Sequence, residues 1–269
     1  MENSKSNWLS ADNCVKSSVI FWYIIATIGL WLFVAYLVLG YGGYAVSGDL
    51  KEWNNLSNGG ILENDLIGNF SFATHILLAV IIIGGGPLQL IPALRNRYPS
   101  FHRWLGRAYL VSAFLTTLAG LYLIWLREQH LPVILQYAIT LDGILIFCFG
   151  LLAWKYASAK KFVIHRRWAL RTFMVASAVW FFRVGFFGWL MINQGPVGFD
   201  PETFSGPFVT FISFAQYLIP LAILELYFYA KDKATAAVKV ITAVTIASFT
   251  LIMAIGIFAV SVIKWLPSI

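Results

Sequence analysis

Charge is what this chain has least of. Asp, Glu, Lys and Arg make up 12% of its residues, against about 25% in a soluble globular domain. No polar stretch is long enough to enclose a core, so a separate soluble domain is excluded. Cysteine is nearly absent as well. Cys14 and Cys148 stand far apart with no CxxC spacing, which argues against a structural disulfide. There is no phosphate-binding GxxxxGK loop, no GxGxxG, no GxSxG and no HExxH. Nucleotide-driven work, serine hydrolysis and zinc-protease chemistry therefore lack their signatures. The last apolar segment has no lysine between Val240 and Ile263, so a retinal Schiff base has no amine to form on.

Apolar residues are what is present. They form 59% of the 269 residues, and the mean hydropathy is +0.76. A membrane span needs about 20 consecutive apolar residues. Seven segments qualify: Val19–Gly40, Phe70–Ile91, Gly106–Leu126, Val133–Trp154, Trp168–Ile192, Phe208–Tyr229 and Val238–Val262. The expected fold is an all-α, polytopic membrane helix bundle occupying the whole chain, 1–269. The first segment exceeds the ~7–15 apolar residues of a cleaved signal and reads as a retained span.

Loop charges alternate along the chain. Lys5 and Lys16 precede the first span. Asp49, Glu52, Glu63 and Asp65 follow it, against one Lys51. Arg95, Arg97, Arg103 and Arg107 come next, then the short loop with Arg127 and Glu128. Lys155, Lys160, Lys161, Arg166, Arg167 and Arg171 form the next basic group, followed by Asp200 and Glu202, then Lys231 and Lys233. Basic loops stay on the cytoplasmic side, so the expected topology is seven spans, N-terminus in and C-terminus out, in a bacterial inner membrane. The net charge of +7 is accounted for by this orientation, and nucleic acid is not an expected partner. Trp104, Trp125, Trp154, Trp168 and Trp189 fall near span ends, as interfacial anchors do. Within the second span, Gly84-Gly85-Gly86-Pro87, then Gln89 and Pro92, predict a kink or break.

Two basic loops repeat one text. His102-Arg103-Trp104-Leu105-Gly106-Arg107 and His165-Arg166-Arg167-Trp168-Ala169-Leu170-Arg171 both read H-R-(R)-W-x-x-R, each opening a span. Either spans two–three and four–five are parallel repeats, or the echo is chance. These residues, with His75, Pro87-Leu88-Gln89, Arg95 and Arg183, resemble the bacterial predicted membrane protein family known as domain-of-unknown-function family 2306. The resemblance covers roughly Phe70 to Arg183. It implies a multi-span fold with retained His and Arg positions, and no particular activity.

Candidate sites follow from depth. His102 and His165 enter two spans at one level, which is what the two axial faces of a b-type haem require. Arg103, Arg107, Arg166 and Arg171 are suited to its propionates. His75, about 8 Å below the outer surface at helical rise, and His130 in the outer loop form a weaker second pair. The alternative for the inner cluster is positive-inside charge that binds lipid phosphate. Asp142 at about 14 Å from outside and Arg183 at about 22 Å from inside nearly coincide in depth within a core of about 30 Å. They are expected to pair, because an isolated charge there is costly. Gln216 reaches a similar depth, and Glu225 reads as a charge snorkelling to the surface. The leading expectation is a redox protein carrying haem b and exchanging electrons with a quinone or other lipid-soluble carrier. The competing expectations are a carrier or binding protein for a small or anionic ligand, with Gln89 and the broken span lining its path, and an enzyme acting on a lipid.

Overall fold

A computed structural model describes residues 10–57, 60–127 and 131–269. It is helical, and among the described residues the β-structure is one isolated bridge between Asp200 and Ser205. Eight helices carry the fold: α1 (Ala11–Ser47), α2 (Leu66–Gln89), α3 (Pro99–Trp125), α4 (Val133–Ser158), α5 (Phe162–Ala176), α6 (Ala178–Asn193), α7 (Pro207–Lys233) and α8 (Ala236–Ser268). Six are long and apolar enough to cross a bilayer; α5 and α6, bent by 48°, make a seventh span if they count as one.

The sequence explains how α1 sits. Ile20, Ile24, Ile28 and Trp31 recur at helical spacing and lie about half exposed on its outer side. Ala26, Leu30 and Phe33 face inward and are buried. In water such an exposed apolar stripe would be a liability; against lipid tails it needs no cover. Ser10 starts the helix, its side chain accepting from the Asn13 amide at 3.3 Å.

The bundle is built from adjacent pairs. α2 packs on α3, α4 on α5, and α1 on α8, while α6 packs between α8 and α7. Close approach is set by glycine at two crossings. A Cβ on Gly256 of α8 would stand 2.3 Å from the Val184 carbonyl oxygen of α6. One on Gly29 of α1 would meet Ile257 of α8 at 2.5 Å and Trp180 of α6 at 2.7 Å. Small residues at such crossings are how membrane helices gain contact without a hydrophobic drive.

Two expectations change here. The Gly84–Pro87 run does not break α2, which stays helical through Gln89. Its glycines are filled by neighbours instead: Leu105 lies 3.1 Å from a Cβ position on Gly85, and Phe173 2.9 Å from one on Gly86. Tyr23 of α1 donates to the Pro87 carbonyl at 3.1 Å. The break falls in the fifth span, at Ser177 between α5 and α6, where neither Pro nor Gly stands. It redirects α6 away from α4 and toward α8 and α7.

α1 and α8 each change to a π-helical turn near the same end of the bundle, at Leu37–Tyr41 and Ser261–Trp265. In an α-helix Tyr36 and Tyr41, five residues apart, would point about 140° apart. The wider turn brings both inward, ring centroids 5.9 Å apart. Such turns recur at functional sites.

Candidate functional site

Arg183 sits on α6, beyond the bend. Its guanidinium carbon lies 5.2 Å from the Phe33 ring centroid on α1. One N–H donates to the Val179 carbonyl at 3.2 Å. No carboxylate pairs with it among the described residues. The titratable groups within reach of its charge are Tyr36 and Tyr41 of α1 and His75 of α2. A guanidinium has five donors and stays protonated, so most of this one's hydrogen-bonding capacity is unused.

His75 is oriented by its neighbour. Its Nδ1 lies 3.1 Å from the Thr116 carbonyl oxygen on α3. A carbonyl can only accept, so Nδ1 carries the hydrogen and the neutral ring offers Nε2 as an acceptor. Gly120 makes room for the ring, since a Cβ there would lie 3.2 Å from His75 Cε1. Both His75 and Arg183 are partly exposed.

Aromatic rings wall this region. Trp265 of α8 stacks on Phe33 at 5.3 Å and on Tyr36 at 6.5 Å. Trp53 meets Tyr41 at 5.5 Å and Phe72 at 6.0 Å. Trp53 belongs to the segment joining α1 to α2, which folds back as a cap. Its indole donates to the Tyr41 carbonyl at 2.9 Å, and Tyr36 donates to the Leu56 carbonyl at 3.3 Å. Arg127, at the end of α3, holds the cap in place. Its side chain is 2% exposed, with Nε 2.8 Å from Asp65 Oδ2. It donates to the Gly60 carbonyl at 3.1 Å and to Asn69 Oδ1 at 2.8 Å. Asp65 also caps α2, accepting from the Gly68 amide at 2.9 Å.

Sequence reasoning missed this cap. Arg127 and Asp65 were legible as loop charges and nothing in their spacing reveals their burial. The aromatic wall was equally hidden, because it depends on two π-helical turns. Lys5, Glu128 and His130 lie outside the described residues, so the proposed outer pair of His75 with His130 has no geometry to report.

The structure does not bring Asp142 and Arg183 together. Asp142 is buried on α4 and is sensed by Tyr217 of α7; Arg183 faces α1. The depth argument assumed a straight fifth span, and the bend at Ser177 carries Arg183 away from α4. Asp142→Asn and Arg183→Gln should therefore have additive effects on thermal stability, within about 0.5 kcal/mol. A measured coupling above about 1 kcal/mol would show that the side chains meet after all. Gln216 lies apart from both in its bonding, its amide donating to the Ser213 carbonyl of its own helix at 2.7 Å.

At the basic end His102 feels the charge of Arg95 first, then of His165 and Arg103, and no hydrogen bond joins the two histidines among the described residues. His165 Nδ1 lies 2.9 Å from the Ala153 carbonyl oxygen, whereas His102 Nδ1 and Gln89 Nε2 are enclosed without partners among the described residues. The arginines differ in availability. Arg171 grips Glu225 with two bonds, 2.7 and 2.8 Å, and lies over Trp168 at 4.6 Å. Glu225 is thus an ion-pair partner rather than a free surface charge. Arg167 pairs with Asp232. Arg103 donates to Ser100 at 3.0 Å and Arg107 covers the Trp104 ring. Arg166 is exposed. Among the described residues no three His, Cys, Asp or Glu converge.

Residues 72–227, more than half of the chain, match the family model described as "Predicted membrane protein (DUF2306)". The description states a location and no reaction. The matched stretch holds His75, His102, Asp142, His165, Arg183 and Glu225; Phe33, Tyr36 and Tyr41 lie outside it. No curated protein and no solved structure matches the chain.

Proposed function

Because this chain belongs to the predicted membrane protein family DUF2306, whose description carries no reaction, we propose from its own geometry that it binds a small amphipathic anion within the bilayer. Arg183 is the counter-charge. The observation that carries this is a permanently charged guanidinium at membrane depth with no carboxylate partner among the described residues. Intramembrane charges are costly and are kept for partners or ligands. The aromatic wall suits the apolar body of the ligand, and His75 Nε2 suits a hydroxyl or amide N–H on it. The fitting class is an aromatic or lipid-like carboxylate. Benzoate binding to the purified protein, and its loss in Arg183→Gln, is the test.

A second reading rests on another observation. Metal-ligating histidines commonly turn the second ring nitrogen to a carbonyl, as His165 does toward Ala153, and His102 lies within range of its charge. The pair suits a haem b at the basic end, with a quinone or other lipid-soluble carrier as electron partner. Arg171 and Arg167 are committed to Glu225 and Asp232, so Arg103, Arg107 and Arg166 remain for propionates. The expected result is a Soret band that shifts on reduction, abolished by His102→Ala and by His165→Ala. Protein that stays colourless after expression with haem supplied would eliminate this reading.

A further inference from the structure

A second ionisable residue lies in the bundle, and no ion pair or hydrogen bond joins it to Arg183 among the described residues. Asp142 occupies the inward face of α4 between Ala138 and Ile146 and is 7% exposed. Its Oδ1 is fully enclosed and accepts no hydrogen bond among the described residues. The carboxyl joins no ion pair among the described residues. An ionised carboxylate stripped of water with neither partner nor hydrogen bond is among the costliest groups a membrane interior can hold. The same group bearing a proton is neutral and tolerable there.

The surroundings make a site of it. From α7, Tyr217 is completely buried, its hydroxyl has no partner among the described residues, and it feels the Asp142 charge. From α3, the Tyr109 hydroxyl is also enclosed without a partner, in the apolar cluster that contains Tyr217 and Ile146. Thr117 of α3 donates to the Ala113 carbonyl at 2.8 Å, and Gln216 of α7 to Ser213. α5 contributes Val175 to the cluster, and its His165 is bound at Ala153, about 16 Å along α4 toward the basic end at helical rise. Asp142 of α4 and the Tyr217 hydroxyl of α7 are thus two enclosed oxygen groups without partners among the described residues, and no cation pairs with the carboxyl there. Tyr109 lies about 12 Å along α3 from Thr117 at helical rise, and Thr117 packs at Gly143.

We propose that Asp142 is an intramembrane proton-binding group, protonated at rest and exchanging its proton toward the Tyr217 side. The step is a proton transfer alone. The carboxyl O–H bond breaks, the proton passes to a water molecule admitted between α4 and α7, and the carboxylate left behind accepts the Tyr217 O–H. The reverse step takes a proton from hydronium and releases water. This site does not depend on anion binding at Arg183, since the two share no residue.

The experiment is infrared difference spectroscopy on the full chain in detergent, comparing ordinary and heavy water. A C=O stretch of a protonated carboxyl should be present, should move on transfer to heavy water, and should vanish in Asp142→Asn. Tyr217→Phe should keep the band and slow its movement. Should Asp142→Asn fail to fold, Asp142→Glu gives the assignment by displacing the band. An absent band means an ionised carboxylate and overturns the proposal. So does a band that ignores heavy water, which is a proton held but not exchanged. Loss of the band on adding sodium at constant pH replaces the proton by a metal cation and overturns it too.

Discussion

Replacing Arg127 by Ala should destabilise the protein by about 3–5 kcal/mol, the cost of removing one member of a buried ion pair and stranding the other. The side chain is nearly inaccessible and serves four partners at once: the Asp65 carboxylate, the Gly60 and Gly68 carbonyls and the Asn69 amide oxygen. Its loss leaves Asp65 with its cap on α2 and no counter-charge. Thermal unfolding of the detergent-solubilised protein measures the effect. Asp65→Ala in the Arg127→Ala background should cost much less than Asp65→Ala alone, because the charge it removes is already unpaired. The surface pair Lys51–Glu63, with both side chains mostly exposed, sets the contrast. Breaking it should change stability by about 1 kcal/mol at most. Equal effects at the two pairs would show that Arg127 is not buried as described.

The loss should also reach the aromatic wall. Trp53 hangs from the same cap and touches Tyr41 and Phe72. Its indole fluorescence should report greater water exposure in Arg127→Ala before global unfolding.

Much of the fold was legible from apolar run length. The seven segments coincide with α1 to α4, the α5–α6 pair, α7 and α8, because span length is set by bilayer thickness and leaves little choice. The interior was less legible, for reasons that are specific. Pro87 and its glycines predict a broken helix by local rules, but ring and leucine side chains from α3 and α5 fill the space the glycines leave. Ser177 carries no comparable signal, yet the bend there decides which helix Arg183 faces. The two π-helical turns, which collect Tyr36, Tyr41 and Trp265 on one side, have no period that hydropathy detects. The echo that singles out His102 and His165 was legible in their text. The commitment of Arg171 to Glu225 and of Arg167 to Asp232 was not, since ion pairs across 54 and 65 residues of sequence leave no local pattern.

The central claim concerns Arg183, and its consequence is large. Removing one partner of a desolvated, hydrogen-bonded charge pair costs about 2–5 kcal/mol, and about 1.4 kcal/mol is tenfold in affinity. Arg183→Gln should therefore weaken binding of an anion at this site by about thirtyfold or more. Charge and shape are separated by a neutral isostere. Benzamide has the ring and outline of benzoate without its charge, so the substitution should leave benzamide binding nearly unchanged. Arg183→Lys keeps the charge but not the planar fork, and should fall between wild type and Gln. His75→Ala should cost less than Arg183→Gln, since it removes one neutral hydrogen-bonding group.

The direct measurement is equilibrium dialysis of labelled benzoate against detergent-purified wild type and Arg183→Gln, with labelled benzamide and inorganic phosphate run alongside. The account predicts saturable benzoate binding to wild type, tighter than benzamide and lost in Arg183→Gln. Benzoate bound equally by both proteins, or neither benzoate nor phosphate bound by wild type, would contradict it.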